Sequence, residues 1–281
     1  MGFSIAEFSS IREWVQSATE KLNSAGLNAS KLEAQMLVAH ALGNDRTFVI
    51  THGDDLFETR LADELLTRRL GHEPLAYILG WREFYGRRFR VGHSVLIPRH
   101  ETEVLVDETL VLGGDCSSGC RLLDVGTGSG CIAITLKLER SNWDVWAVDI
   151  SCSAIQTARE NAETLGADVC LRHSDLFDQL GGMKFDMIVS NPPYIGKDES
   201  LPKEVREFEP EAALFADDGG LAIYRRIAVE YRTFLNPGGW LLLEIGQTQG
   251  EALLSLFSGS RLVADLDGNP RVLVVPRDMP K

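Results

Sequence analysis

Residues 121–131 read Arg-Leu-Leu-Asp-Val-Gly-Thr-Gly-Ser-Gly-Cys. The apolar run predicts a short buried strand over Arg121–Val125, and the pattern after it predicts a helix over Cys131–Glu139. Between them, Asp124 and Val125 lead into Gly126-Thr127-Gly128-Ser129-Gly130. Glycines there permit a tight turn and a close approach of the backbone to a ligand. The pattern is G-x-G-x-G, with Cys131 where a G-x-G-x-x-G loop places its last glycine. On its own such a loop is weak evidence for any one ligand.

Two further strand ends sharpen it. A strand is expected over Asp144–Ile150, and Asp149 stands 23 residues after Gly126, where a carboxylate can accept both hydroxyls of a ribose. A third strand, Val169–His173, runs into Ser174-Asp175-Leu176, where Asp175 can accept an adenine amino hydrogen. A dinucleotide and S-adenosylmethionine both meet this outline. Strands are also expected at Phe185–Ser190, Trp240–Ile245 and Arg271–Val275. Helices are expected at Glu101–Leu112, Ser153–Leu165, Gly220–Phe234 and Gly250–Leu256. Alternating strands and helices imply an α/β architecture, a mostly parallel sheet with helices on both faces.

The next motif separates the two cofactors. Asn191-Pro192-Pro193-Tyr194 directly follows the expected strand Phe185–Ser190. Proline has no N–H, so the Pro192 backbone offers only an acceptor. The Asn191 side-chain carbonyl is a second acceptor, and Tyr194 offers an aromatic face for a planar group. Two fixed acceptors hold both hydrogens of a planar –NH2 and turn its delocalised lone pair towards an electrophile. Such positioning supplies up to about 7–11 kcal/mol of barrier lowering in favourable cases. Each hydrogen bond adds only ~0.5–1.5 kcal/mol. The site therefore suits methyl transfer to an amide or amino nitrogen.

Working towards the N-terminus, residues 1–80 read as helical. Apolar positions recur at Ile11, Trp14, Val15 and Ala18, and again at Leu32, Met36, Ala39 and Leu42, with Leu37 and Val38 beside that stripe. Ser30 is the expected cap of the second helix, with Glu33 completing a capping box. Residues 75–97 change character: Tyr77, Ile78, Phe84, Tyr85, Phe89 and Val91 among glycines predict short strands and turns. Five arginines against one glutamate give residues 81–100 a local charge of +4, set between two acidic parts. This is either a solvated hairpin face or a contact for an acidic or RNA-associated partner.

Across its 281 residues the chain has 28 Lys+Arg against 41 Asp+Glu, a net charge of -13. That balance weighs against a broad phosphate-gripping surface. No uncharged apolar run approaches the ~20 residues of a membrane span, and the N-terminus lacks a signal-peptide pattern. The five cysteines have neither disulfide-framework nor zinc spacing; the pair Cys116 and Cys120 stands alone. Reduced thiols, a cytoplasmic location and no metal are expected.

With these motifs in hand, the sequence resembles a class I S-adenosylmethionine-dependent methyltransferase. Within that class it is similar to the HemK-type protein-(glutamine-N5) methyltransferases of peptide-chain release factors. The similarity extends over Gly80–Gly86, Leu96–Glu103, Glu209-Pro210, Asp218–Leu221 and Glu244–Gln247. It implies a Rossmann-like methyltransferase domain over residues 100–281, a β-hairpin linker over 81–99 and a helical substrate-recognition domain over 1–80. The implied substrate is the glutamine of the Gly-Gly-Gln motif of class 1 release factors, and the implied product of the cofactor is S-adenosylhomocysteine. Carried over by position, Asp124, Gly126, Thr127, Gly128, Ser129, Gly130 and Asp149 serve the cofactor, with Asp175 and Leu176 at its adenine. Asn191, Pro192, Pro193 and Tyr194 hold the glutamine amide, with Asn191 also near the cofactor methyl. His100 and Leu176 depart from the family pattern, where proline and, in some relatives, tryptophan stand. A monomer acting on a protein is expected. Glutamine methylation of a ribosomal protein and amino methylation of nucleic acid, such as adenine N6, are the competing activities. A non-catalytic cofactor-binding module and an NAD-dependent dehydrogenase are the competing classes.

Overall fold

The computed structural model describes residues 7–114 and 119–278; Cys116 lies outside them. The chain forms two compact units. One comprises the residues up to Gly80 together with Pro202–Phe208; the other comprises Trp81–Leu201 and the residues from Glu209 onward.

The smaller unit is built from β1 (Phe8–Ser10), α1 (Ile11–Ser24), α2 (Ser30–Ala41), α3 (Arg46–Thr51), β2 (Leu56–Glu58), α4 (Arg60–Leu70) and α5 (Leu75–Leu79). β1 and β2 pair antiparallel, a ribbon the sequence pattern does not announce. The expected stripe on α1 is its buried face, Ile11, Trp14, Val15 and Ala18, joined by Leu22. On α2 the phase differs from expectation. Leu32 is 40% exposed, whereas Ala34, Leu37 and Val38 are fully buried. Apolar residues lie all round this helix, so periodicity alone cannot select its inward face.

The capping box also sits elsewhere. Ala29 precedes α2 in the left-handed region, and the Ser30 hydroxyl donates backwards to the Leu27 carbonyl at 2.8 Å. Glu33 instead pairs with the buried Arg69 at 2.8 Å. The capping box belongs to α1, between Ser10 and Glu13. Tyr77 and Ile78 are helical, not extended: the run between Pro74 and the left-handed Gly80 closes as the single turn of α5.

The larger unit opens with an antiparallel hairpin, β3 (Trp81–Phe84) and β4 (Arg87–Arg90), whose Phe84 and Phe89 are buried in that unit's core. A 3₁₀ turn (His100–Thr102) leads into α6 (Glu103–Gly113), then β5 (Arg121–Val125), α7 (Cys131–Glu139), β6 (Asp144–Asp149), α8 (Cys152–Leu165), β7 (Cys170–His173), β8 (Phe185–Ser190) and β9 (Ile195–Gly196). Then α9 (Lys203–Phe208) belongs to the smaller unit, where Glu204 reaches Arg69 at 3.0 Å. The larger unit resumes with α10 (Glu211–Leu214), β10 (Phe215–Ala216), α11 (Ala222–Phe234), β11 (Leu235–Glu244), α12 (Gly250–Leu256), β12 (Arg261–Ala264) and β13 (Pro270–Pro276).

Seven strands form its sheet in the order β12-β13-β11-β8-β5-β6-β7. β13 alone runs against its neighbours; the rest is parallel, as the strand–helix alternation predicts. One face packs under α6, α7 and the hairpin, the other under α11 and α12. Neighbouring strand residues go to opposite faces, Leu122 to the first and Leu123 to the second. The chain runs outward from β5 through β6 and β7, then returns to β8 on the other side of β5. That reversal is a topological switch point, where the loops leaving adjacent strands part and a crevice opens at their carboxyl ends.

Candidate active site

Val125 and Ser190 are register partners at the ends of β5 and β8. The glycine loop and Asn191 therefore leave the sheet side by side. A cavity of about 330 Å³ lies there, lined by Gly126–Ser129, Asp149, Asp175, Leu176 and Asn191–Pro193, among others. Its size falls in the ~300–1,000 Å³ range of small-molecule sites.

Backbone contacts set the loop. Gly126 N–H and Thr127 N–H both donate to the Val148 carbonyl, at 2.9 and 3.0 Å. Gly128 N–H donates to Asp149 Oδ2 at 2.8 Å. Gly126, Gly128 and Gly130 have φ of 75°, 56° and 82°, the region glycine enters without cost. A Cβ on Gly126 or Gly128 would meet open space, whereas one on Gly130 would come within 2.7 Å of Ile134 Cδ1 and 3.1 Å of Ala158 Cβ. The first two glycines leave room beside the cavity; Gly130 lets α7 pack on α8.

Asp124 is not part of the cavity wall. It is fully buried, accepts the Thr127 hydroxyl at 2.6 Å, and burial pushes its carboxyl up to about 7 against that hydrogen bond. It acts on the loop through Thr127. Asp149 does face the cavity, and its oxygens accept N–H groups of Gly128 and Ser151, each at 2.8 Å. Burial raises its carboxyl, while these donors oppose the rise. Ile150, 59% exposed and unmarked by the sequence pattern, supplies an apolar face next to it. Asp175 and Leu176 line the cavity, with Asp175 paired to Arg226 at 3.0 Å and Leu176 strained at φ 46°.

On the other side, Asn191 Nδ2 donates to the Thr102 hydroxyl at 3.3 Å. Pro192 and Pro193 line the cavity; Tyr194 does not. The aromatic face expected to stack on a planar group packs instead beside Gly246, with Tyr194 Cδ2 at 3.3 Å from an added Cβ there. The Tyr194 carbonyl accepts Gln249 Nε2 at 2.8 Å, and burial pushes the phenol up to about 12. Arg99 and Pro210 also line the cavity; Arg99 and Ile97 N–H both bind the buried Glu209. Thr102 and Glu209 fall in stretches quoted above, yet their roles depend on contacts across the fold.

The arginine-rich segment is largely committed internally. Arg87 pairs with Glu139 at 2.6 Å, Arg90 with Glu160 at 2.8 Å, Arg99 with Glu209, and Arg88 stacks 4.2 Å over Trp81. These contacts account for four of its five arginines and fit a scaffold better than a free basic surface.

A mostly parallel sheet covered on both faces, a glycine loop opening a helix, a carboxylate ending the next strand and Asn191-Pro192-Pro193 lining the same cavity at the switch point are together the features of a class I methyltransferase. The methyltransferase small domain matches residues 102–250, more than half the chain, and the PrmC N-terminal domain matches residues 13–80. The release factor glutamine methyltransferase of Koribacter versatilis is 41% identical over 94% of this chain and 97% of its own length. The bifunctional methyltransferase of Rickettsia felis is 39% identical over 94% of this chain, which spans 58% of that longer protein. The chain belongs to the release factor glutamine methyltransferase family. A T. thermophilus 16S rRNA methyltransferase solved with AdoMet and guanosine shares the fold, with a TM-score of 0.50 at 20% identity over 70% of this chain and 51% of that one.

Proposed function

We propose that this protein transfers a methyl group from S-adenosylmethionine to the side-chain amide nitrogen of the glutamine in the Gly-Gly-Gln motif of class 1 release factors. The observation that carries this reading is the register of Val125 with Ser190, which sets the glycine loop beside Asn191 and Pro192 across one cavity. The names of the family's curated members support the substrate.

The residues fit the cofactor. Gly126 and Gly128 leave open space beside the cavity, and Asp149 turns a carboxylate into it. With the cofactor bound, Asp149 would accept the ribose hydroxyls and Asp175 the adenine amino group, and Ile150 and Leu176 would supply apolar contact. Asp124, Thr127, Ser129 and Gly130 shape the loop. S-adenosylmethionine bound there supplies an electrophilic sulfonium methyl.

Asn191 Oδ1 and the Pro192 carbonyl accept the two amide hydrogens and hold the nitrogen lone pair towards the cofactor side. No strong base is required, because the nitrogen becomes acidic as its new bond to carbon forms. The proton passes to one of those acceptors or to water. Tyr194 acts through its backbone and packing, holding the Asn-Pro-Pro turn. In this reading residues 1–80 recognise the release factor, 81–99 link, and 100–281 perform the chemistry, in a cytoplasmic monomer without a metal.

The test incubates the protein with radiolabelled S-adenosylmethionine and a recombinant release factor. Label should appear on the wild-type factor and be absent when the glutamine of its Gly-Gly-Gln motif is replaced by alanine. Label on both, or on neither, removes the proposal.

A further inference from the structure

The cofactor side of the cavity leans on a side chain that does not line it. Asp149 ends β6 and His173 ends β7, and the two are register partners in that parallel pair. After Asp149 the chain turns through Ile150 and Ser151 into α8. Backbone pairing reaches just past the strand end, with Ser174 N–H donating to the Asp149 carbonyl at 2.9 Å. The next carbonyl, that of Ile150, meets the His173 ring instead, with Nε2 at 2.9 Å. A carbonyl oxygen can only accept, so His173 presents Nε2–H to it.

That carbonyl belongs to the peptide unit whose N–H is carried by Ser151. Ser151 N–H donates to Asp149 Oδ1 at 2.8 Å, and Gly128 N–H donates to Asp149 Oδ2 at 2.8 Å. A trans peptide unit is planar, with its C=O and N–H on opposite sides. Anchoring the Ile150 oxygen on the imidazole therefore aims the Ser151 N–H at the carboxylate. Hydrogen bonds joined in this way also polarise one another in the same sense. Burial raises the Asp149 carboxyl, and the Ser151 and Gly128 N–H groups and then His173 oppose that rise. His173 is exposed and pairs in the sheet through its backbone, so neither core packing nor the strand calls for an imidazole here.

We infer, on the reading of Asp149 as the ribose acceptor, that His173 is a positioning residue for cofactor binding: through the Ile150–Ser151 peptide it holds the Asp149 carboxylate in the orientation that meets the ribose. Without the imidazole that peptide is free to rotate, and Oδ1 loses its aimed donor while Oδ2 keeps Gly128. The same rotation displaces Ile150, the apolar residue that faces the cavity next to Asp149. The ring acts from behind the turn and leaves the acceptor side of the cavity untouched.

The test titrates the full-length protein with S-adenosylmethionine and with S-adenosylhomocysteine by calorimetry. It adds kcat at saturating cofactor, thermal unfolding, and hydrogen exchange at the Ser151 amide of the cofactor-free protein. His173→Ala should weaken both ligands about 3- to 10-fold, the size of one ordinary hydrogen bond. Its Tm should stay within about 2 °C of wild type, as for other surface substitutions, and kcat at saturating cofactor should be unchanged. The Ser151 amide should exchange faster. His173→Gln, which keeps a side-chain N–H donor, should recover most of the affinity and the protection. In the His173→Ala/Asp149→Asn double variant the losses should not add, because both act through one carboxylate. Unchanged Kd in His173→Ala, an equal loss in His173→Gln, additive losses, or a Tm that falls in step with affinity would overturn the role of His173. Unchanged Kd in Asp149→Asn would overturn the ribose reading itself. The titrations need no methyl acceptor, so they decide the matter whether or not the release factor is labelled.

Discussion

The two sides of the cavity are built differently. The cofactor side is made by backbone: Gly126, Thr127 and Gly128 are pinned by N–H groups to Val148 and Asp149, within one strand–turn–helix and its neighbouring strand. The acceptor side is made by side chains from distant segments, with Asn191 hydrogen-bonded to Thr102, 89 residues away, and Arg99 to Glu209, 110 residues away. Backbone geometry tolerates side-chain change but not a wrong φ. A contact between two distant side chains tolerates changes in the backbone around it but not the loss of either partner. Substitutions on the first side should therefore appear in cofactor affinity and stability, and those on the second in turnover.

The strongest break of this contrast is Asn191→Ala. It should lower kcat at least about 100-fold, as removal of one fixed polar group at a reacting centre does, with cofactor Kd held within about threefold by calorimetric titration. Next comes Asp149→Asn, which should weaken cofactor binding about 10- to 100-fold, the size of one or two charge-assisted hydrogen bonds, while kcat at saturating cofactor changes little. Gly130→Ala forces a left-handed alanine at φ 82° within 3.1 Å of Ala158 Cβ. It should cost about 1–3 kcal/mol, seen as a lower denaturant midpoint for the larger unit. Gly126→Ala carries the same left-handed strain at φ 75° but its added Cβ meets open space, so it should cost less stability than Gly130→Ala while weakening cofactor binding.

The smallest effect concerns pH. Asp124 and Glu244 have carboxyls near 7 in the folded protein, against 3.8 and 4.5 unfolded. Between those values the folded state holds more protons, so stability falls as pH rises towards 7 and the loss is complete above it. Asp124→Asn should raise the Tm relative to wild type by a few degrees at pH 8 and by less at pH 5.5. An equal difference at both values would mean that Asp124 is ionised throughout.

What could be read from the sequence follows the same division. β5, α7, β8 and α12 have the bounds that their apolar runs and flanking glycines predict, because local pattern and tertiary packing agree there. α5 was hidden because Tyr77 and Ile78 are strand-favouring side chains, and only the Pro74 and Gly80 boundaries force the turn. β12 is a short strand at the end of the sheet order, with no periodicity of its own to mark it. Asp149 and the glycine loop were legible as a cofactor side because they recur at a fixed spacing. Thr102 and Glu209 were visible as letters in family motifs, but their contacts, to Asn191 and Arg99, span the fold and leave no spacing to read. Tyr194 shows the reverse: a side chain that looks like a stacking platform is turned away from the cavity by the close approach of Gly220 and Gly246 to its backbone and ring.

The grouping of Pro202–Phe208 with the smaller unit has a consequence for how the protein is made. Although that unit begins the chain, it is not complete until Phe208 has left the ribosome, by which time β5 to β8 have already been synthesised. A recombinant fragment ending at Gly80 would lack α9 and leave Arg69 with Glu33 but without Glu204. The two units are thus consecutive in neither synthesis nor cloning: any shuffling of the N-terminal module onto another catalytic body must bring a seven-residue piece from the middle of the chain with it.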